Sequence, residues 1–148
     1  MISVGNLAVG GRGKTPVVAH VAEWVRGAGL PADRVSLTVA GDIAPYHGDD
    51  SYEQLVRPLL KSRSVEWLGS VAHDRIPTLL ASLDVLVVPS VWIENSPFVI
   101  KEAFAAGVPV VASNLGGMAE LVEDGRNGLL FEAGNAADLR RVIARLLD

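Results

Sequence analysis

Two glutamates with seven residues between them, Glu94 and Glu102, bracket the run ENSPFVIKE. Ser96-Pro97 between them reads as a helix N-cap followed by proline at the first helical position. That reading leaves Glu94 in a loop and puts Glu102 about a turn and a half into a helix. The two carboxylates then face one cleft from different depths. At such a helix start the N–H groups of Phe98 and Val99 are unpaired, and the helix dipole favours an anion. A ligand with hydroxyls at both ends and a diphosphate between them matches this layout, because carboxylates accept hydrogen bonds from vicinal diols. The competing reading is a solvated Glu94 and a Glu102 paired with Lys101 or another base. Spacing alone leaves both open.

A second candidate lies near the start, in VGNLAVGGRGKTP (Val4–Pro16). Gly13-Lys14-Thr15 is the end of a Walker A loop, G-x-x-x-x-G-K-[ST], with Ala8 at the first glycine position. In such a loop, backbone amides cradle phosphate, the lysine neutralises charge and the threonine ligates Mg²⁺. Arg12, Gly13, Lys14 and Thr15 are therefore the candidate phosphate-binding residues. A bare turn is the alternative. A third loop, NLGGMAE, carries Gly116 and Gly117, which permit a close backbone approach or simply make a turn. His20, His47 and His73 have no metal-ligand spacing, so no metal site is expected. Their scatter supports no Ser-His-Asp triad either. RRVIAR near the end reads as a solvated helix face.

These loops need a frame. Ile2–Val4, Val35–Ala40, Val65–Gly69, Val85–Val88, Pro109–Ser113 and Gly128–Phe131 read as strands. Helical patterns lie between them, in PVVAHVAEWVRGAG, SYEQLVRPLLKS, HDRIPTLLASL, SPFVIKEAFAAG and the final NAADLRRVIARLLD. In the first pattern, Val17, Val18, Val21, Trp24 and Val25 share a face. In the last, Leu139, Val142, Ile143, Leu146 and Leu147 do so. Most strands are continuous apolar runs, as expected where both faces are covered. Repeated β-α units with short connections predict a single α/β, Rossmann-like, doubly wound parallel sheet of about six strands. In such sheets ligands sit beyond the carboxyl ends of the strands, where all three unusual loops fall.

The 148 residues suit one domain over 1–148. Apolar residues make up 49% and charged residues 20%, which is a globular balance. The net charge of −4 argues against broad binding to nucleic acid or to anionic membranes. With no cysteine there are no disulfides or thiolate metal sites, and a cytoplasmic setting is expected. No run of about 18 apolar residues predicts a membrane span.

The stretch from Pro89 to Phe131 carries, in order, the E-x7-E pair, the strand PVVAS, the Gly-Gly loop and an E-x-x-x-x-G-x-x-G turn. From about residue 35 to 148 the chain resembles the C-terminal nucleotide-sugar-binding half of GT-B retaining glycosyltransferases, family 4 or group 1. The resemblance implies hexosyl transfer from a UDP- or GDP-sugar with retention, with no tightly bound metal or cofactor. It implies that Glu102 holds the ribose hydroxyls. Glu94 would contact the donor sugar and support the developing oxocarbenium-like charge. Pro97, Phe98 and Val99 would border sugar and phosphates, and Gly116 and Gly117 would admit a close approach. Trp67 and Leu68 would lie near the base, while Trp92 is expected in the core.

Residues 1–28 resemble the P-loop segment of tetraacyldisaccharide 4′-kinases, the lipid A kinases. The glycosyltransferase pattern accommodates the same segment, with Val4-Gly5-Asn6 in place of V-G-R and Arg12-Gly13 approximating K-G. Asn6 carries no charge, so Arg12 or Lys14 would partly replace the missing phosphate clamp. The chain then reads as a kinase-like unit over 1–30 joined to a glycosyltransferase-like remainder over 31–148. Two alternatives follow: a P-loop phosphotransferase using Mg²⁺-ATP, and a non-catalytic module that self-associates. On the leading reading, the isolated chain lacks the acceptor-binding domain and turns over poorly or not at all. A separate acceptor-binding domain or a homodimer is the expected partner.

Overall fold

The computed structural model describes residues 2–7, 35–41, 54, 57, 58, 60, 61 and 65–146. Its frame is a six-stranded sheet with the order β3-β2-β1-β4-β5-β6. The strands are β1 (Ile2–Leu7), β2 (Val35–Ala40), β3 (Val65–Gly69), β4 (Val85–Val88), β5 (Val110–Ser113) and β6 (Gly128–Phe131). Every pairing is parallel. This is the doubly wound order, with its switch point between β1 and β4. The expected α/β class and strand number are thus found. β1 runs three residues further than the sequence suggested, because it pairs with β2 from Ile2↔Val35 to Leu7↔Ala40.

Among the described residues, a 3₁₀ turn (His73–Arg75) leads into α1 (Ile76–Ala81), followed by α2 (Phe98–Ala105), α3 (Gly116–Leu121) and α4 (Ala136–Ala144). One face of the sheet is covered by α1, α2 and α3. Leu86, Val88, Val110 and Ala112 of the strands pack there with Leu80, Ile100, Ala103, Met118 and Val122. The residues between them, Val85, Val87, Val111 and Ser113, are buried as well. Alternation sends those to the opposite face. This explains why β4 and β5 read as unbroken apolar runs. None of the helices is long and apolar enough to cross a membrane, among the described residues.

α4 begins at Asn135, whose side-chain oxygen accepts from the Asp138 N–H at 3.0 Å. Asp138 in turn accepts the Glu132 N–H at 2.8 Å and the Arg141 Nε–H at 2.8 Å. The backbone donor first, and Arg141 second, hold the Asp138 carboxyl below its ordinary 3.8. Leu139, Val142 and Ile143 form the buried stripe of α4. Leu146 departs from the expected face, because the helix ends at Ala144 and leaves it partly exposed. Leu147 and the face containing Val17, Val18, Val21, Trp24 and Val25 lie outside the described residues.

α3 is absent from the sequence reading, which took NLGGMAE as a loop. Gly116 and Gly117 are poor helix formers, yet burial of Met118 and Val122 holds this short helix against the sheet. The E-x-x-x-x-G-x-x-G segment is a self-bonded turn at the amino edge of β6. Asn127 Oδ1 accepts the Glu123 N–H at 2.8 Å, and its amide donates to the Leu121 carbonyl at 3.1 Å. Asp124 accepts the Leu130 N–H at 2.8 Å. Gly128 lies so close to β5 that a Cβ there would fall on the Val110 carbonyl oxygen.

Candidate functional site

The segment after β4 starts with buried Pro89 and Ser90. The Ser90 hydroxyl closes the first turn through 3.4 Å contacts with the Trp92 N–H and carbonyl. The chain then runs across the carboxyl edge of the sheet to α2. Pro97, at φ −64° and ψ 113°, is the N-cap, with no side-chain cap. This corrects the expected register: Ser96 does not cap, and Pro97 precedes the helix instead of opening it. The first turn closes where Ile100 N–H donates to the Pro97 carbonyl at 3.2 Å. The N–H groups of Phe98 and Val99 come before that bond and lie at the positive end of the helix.

Glu102 is half-buried on α2, beside the buried stripe formed by Ile100 and Ala103. It does not pair with Lys101, whose ammonium lies 5.8 Å from the centre of the Phe98 ring. The ion pairs formed among the described residues are Arg126–Glu123 and Arg141–Asp138. Glu94 is also half-buried, and its Oε1 is shielded from solvent. Trp92 is not a core residue: it is 62% exposed, beside Ile93 at 69% and Phe98 at 77%. The segment's buried Pro89-Ser90 anchor turns the following side chains outward. The segment from β4 into α2 therefore carries two half-buried glutamates and three exposed large apolar side chains.

The loop after β5 meets this segment directly. Gly116 has φ +52°, a conformation that suits glycine. The Gly117 N–H donates to the Glu94 carbonyl at 2.7 Å. A Cβ on Gly116 would lie 3.0 Å from Ile93 Cγ2 and 3.2 Å from the Glu94 oxygen. A Cβ on Gly117 would fall on the Asn95 carbonyl oxygen. The close approach that the two glycines allow here is that of the Glu94–Asn95 backbone. Sequence reasoning missed Asn95 as a partner, because a backbone contact leaves no signal in residue type. It also missed Ser113, a fully buried hydroxyl at the end of β5 with no hydrogen-bond partner.

Trp67 and Leu68 sit on edge strand β3, roughly 14 Å from β4 at about 4.8 Å per strand. Their side chains leave opposite faces. Leu68 is exposed, whereas the Trp67 indole N–H donates to the Gly41 carbonyl at 2.9 Å. The Arg57 guanidinium lies 5.2 Å from the Trp67 ring centre. Arg12, Gly13, Lys14 and Thr15 lie outside the described residues, as do His20 and His47. β1 nevertheless ends at Leu7 on this same carboxyl edge, next to β4. His73 is exposed on the 3₁₀ turn. No group of three metal-ligating side chains occurs among the described residues.

Comparison with known proteins bears on this edge. Residues 2–148 match the family described as glycosyl transferases group 1. The match includes the opening segment, and the lipid A kinase resemblance finds no support among the comparisons. The chain is 32% identical over 119 residues to a D-inositol 3-phosphate glycosyltransferase of Corynebacterium aurimucosum, covering 80% of this chain and 28% of that protein. Its fold is similar to that of Anabaena Alr3699/HepE, solved in complex with UDP-glucose, with a TM-score of 0.79 and 30% identity. That likeness covers 99% of this chain and 39% of the Anabaena chain. Sucrose-phosphate synthase of Thermosynechococcus elongatus is similar at a TM-score of 0.78 and 28% identity, over 99% and 36% of the two chains. The chain thus spans less than two-fifths of the length of these proteins.

Proposed function

We propose that this chain, which belongs to the glycosyl transferases group 1 family, is the nucleotide-sugar-binding half of a retaining GT-B glycosyltransferase. One observation carries the reading: Glu94 and Glu102 flank the bare start of α2 on the carboxyl edge, beside the switch point. The donor diphosphate lies against the Phe98 and Val99 N–H groups, with Pro97 beside it. Glu102 accepts from the ribose diol. Glu94 accepts from the sugar hydroxyls and stabilises positive charge at the anomeric carbon as its bond to the diphosphate breaks. An acceptor hydroxyl then takes the sugar with retention and gives up its proton to the departing diphosphate. Stabilising the departing diphosphate by prepositioned donors is the main contribution of such a site. The base extends toward β3, where Leu68 and strand-end backbone groups meet it. Arg12, Gly13, Lys14 and Thr15 contribute to the phosphate end.

A UDP-sugar is the favoured ligand, by likeness to the Anabaena protein solved with UDP-glucose. Trp92, Ile93 and Phe98 are exposed on the segment and helix start that carry this site. Such exposed apolar side chains suit the docking of a separate acceptor-binding domain, and the relatives' greater length supports that partner. Alone, the chain binds donor weakly and turns over poorly or not at all.

Amide NMR titration with UDP, GDP and Mg²⁺-ATP tests the reading. The expected result is metal-independent shifts with UDP at Phe98–Glu102. Shifts confined to Gly10–Thr15 and dependent on Mg²⁺-ATP would replace it with phosphotransferase chemistry.

A further inference from the structure

We propose that Gly117, assisted by Gly116, is a positioning residue for Glu94. This inference rests on the donor-binding reading above for its functional consequence, but not for its geometry. The Gly117 N–H is already committed to the Glu94 carbonyl at 2.7 Å. The missing side chain of Gly117 leaves the space taken by the Asn95 carbonyl, with the Glu94 oxygen 2.7 Å from the Cβ position. The Glu94–Asn95 peptide therefore lies directly on the first turn of α3.

Which side gives way on substitution follows from burial. α3 is anchored by Met118 at 0% exposure, and Val122 just beyond it is 2% exposed; both pack with Ile100 and Ala103. α2, which carries Glu102, is anchored by Ile100 and Ala103, each at 0%. No residue of the 92–95 segment is buried to that degree, and Trp92, Ile93 and Asn95 are exposed. A methyl group at Gly117 must displace the 94–95 peptide while both helices stay in place. Glu94 moves and Glu102 does not. The Gly-Gly pair thereby sets the distance between the two carboxylates, and with it the fit of the sugar relative to the ribose. Gly116→Ala acts in the same direction but more gently, through contacts of 3.0 Å and 3.2 Å and a positive φ.

The test uses the 148-residue chain and two readouts. The first is the NMR signals of the Glu94 and Glu102 carboxylates, without ligand, in wild type, Gly117→Ala and Gly116→Ala. The second is the affinity for UDP and for UDP-glucose by calorimetry. Gly117→Ala should shift the Glu94 signal and leave that of Glu102 in place. It should also abolish the preference for UDP-glucose over UDP while UDP affinity changes less than about twofold. Gly116→Ala should do the same to a smaller degree, and it decides the matter if Gly117→Ala does not fold. An unmoved Glu94 signal overturns the proposal. An equal loss of affinity for both ligands also overturns it and makes Gly117 a wall of the diphosphate site. If the wild type does not distinguish UDP-glucose from UDP, the donor reading falls, and the Glu94 signal alone decides the positioning role.

Discussion

Two glycine turns at opposite edges of the sheet use the same device for different ends. At the amino edge, the 123–128 turn bonds to itself and its own flanks: Asn127 accepts the Glu123 N–H and donates to the Leu121 carbonyl, Asp124 accepts the Leu130 N–H, and Gly128 fits against Val110 of the neighbouring strand. At the carboxyl edge, Gly116 and Gly117 make room for a different loop, and the Gly117 N–H bonds to the Glu94 carbonyl. The first turn fastens β6 to β5. The second fixes one loop by another, and the loop so fixed carries a candidate site carboxylate. A glycine in a family motif therefore marks a close approach, but only the neighbour that approaches distinguishes stability from function.

This contrast is broken most severely at Gly128. Gly128→Ala places a methyl group on the Val110 carbonyl oxygen and 2.9 Å from Val122 Cγ1, with no exposed segment to yield. Overpacking of this kind costs about 3 kcal/mol, and denaturant unfolding should show it as a lower midpoint. Relative affinity for UDP and UDP-glucose should stay as in wild type, in opposition to Gly117→Ala. If Gly128→Ala alters that ratio instead, the two edges are not separate in their roles.

A smaller effect sharpens the same point at α4, another self-contained bonding arrangement. Asp138 is held below its ordinary 3.8 chiefly by the Glu132 N–H and then by Arg141. A depressed folded-state value contributes stability above the unfolded value and loses it as pH falls through the folded one. Wild type should therefore lose part of its stability on acidification below about pH 3.8. Asp138→Asn should be less stable at neutral pH by roughly 0.5–1 kcal/mol, in keeping with a helix-start carboxylate. That difference should vanish in acid. Urea midpoints of both proteins, followed from pH 6 downward into acid, measure it. A difference that does not begin to shrink as pH falls below about 3.8 would place the contribution in hydrogen-bond geometry and not in charge.

Much of the frame was legible because parallel strands covered on both faces become unbroken apolar runs. Val85–Val88 was bounded that way, and Val35–Ala40 by its alternation of Leu37 and Val39 with Ser36 and Thr38. α3 was not, since two glycines outweigh a single Met-Ala-Glu-Leu turn until Met118 is seen to be buried. Trp92 misled for the opposite reason: an aromatic in an apolar stretch suggests a core, but the preceding Pro89-Ser90 anchor uses the buried positions. The E-x7-E pair could be read as a candidate site from spacing and helix-start chemistry, although the helix begins one residue later than Ser96-Pro97 suggested. What holds Glu94 in place was hidden, because it is a contact between two backbones.

The most direct test of the account is the affinity for UDP and UDP-glucose of wild type, Glu94→Gln and Glu102→Gln, measured by calorimetry. Removing a charged acceptor from a ligand hydrogen bond costs about 1.5–3 kcal/mol, or roughly tenfold or more in affinity. Glu102→Gln should weaken both ligands by about that factor, since both carry the ribose. Glu94→Gln should weaken UDP-glucose alone. Equal effects of both substitutions on both ligands, or no effect of either, would contradict the assignment of the two carboxylates to opposite ends of one nucleotide sugar.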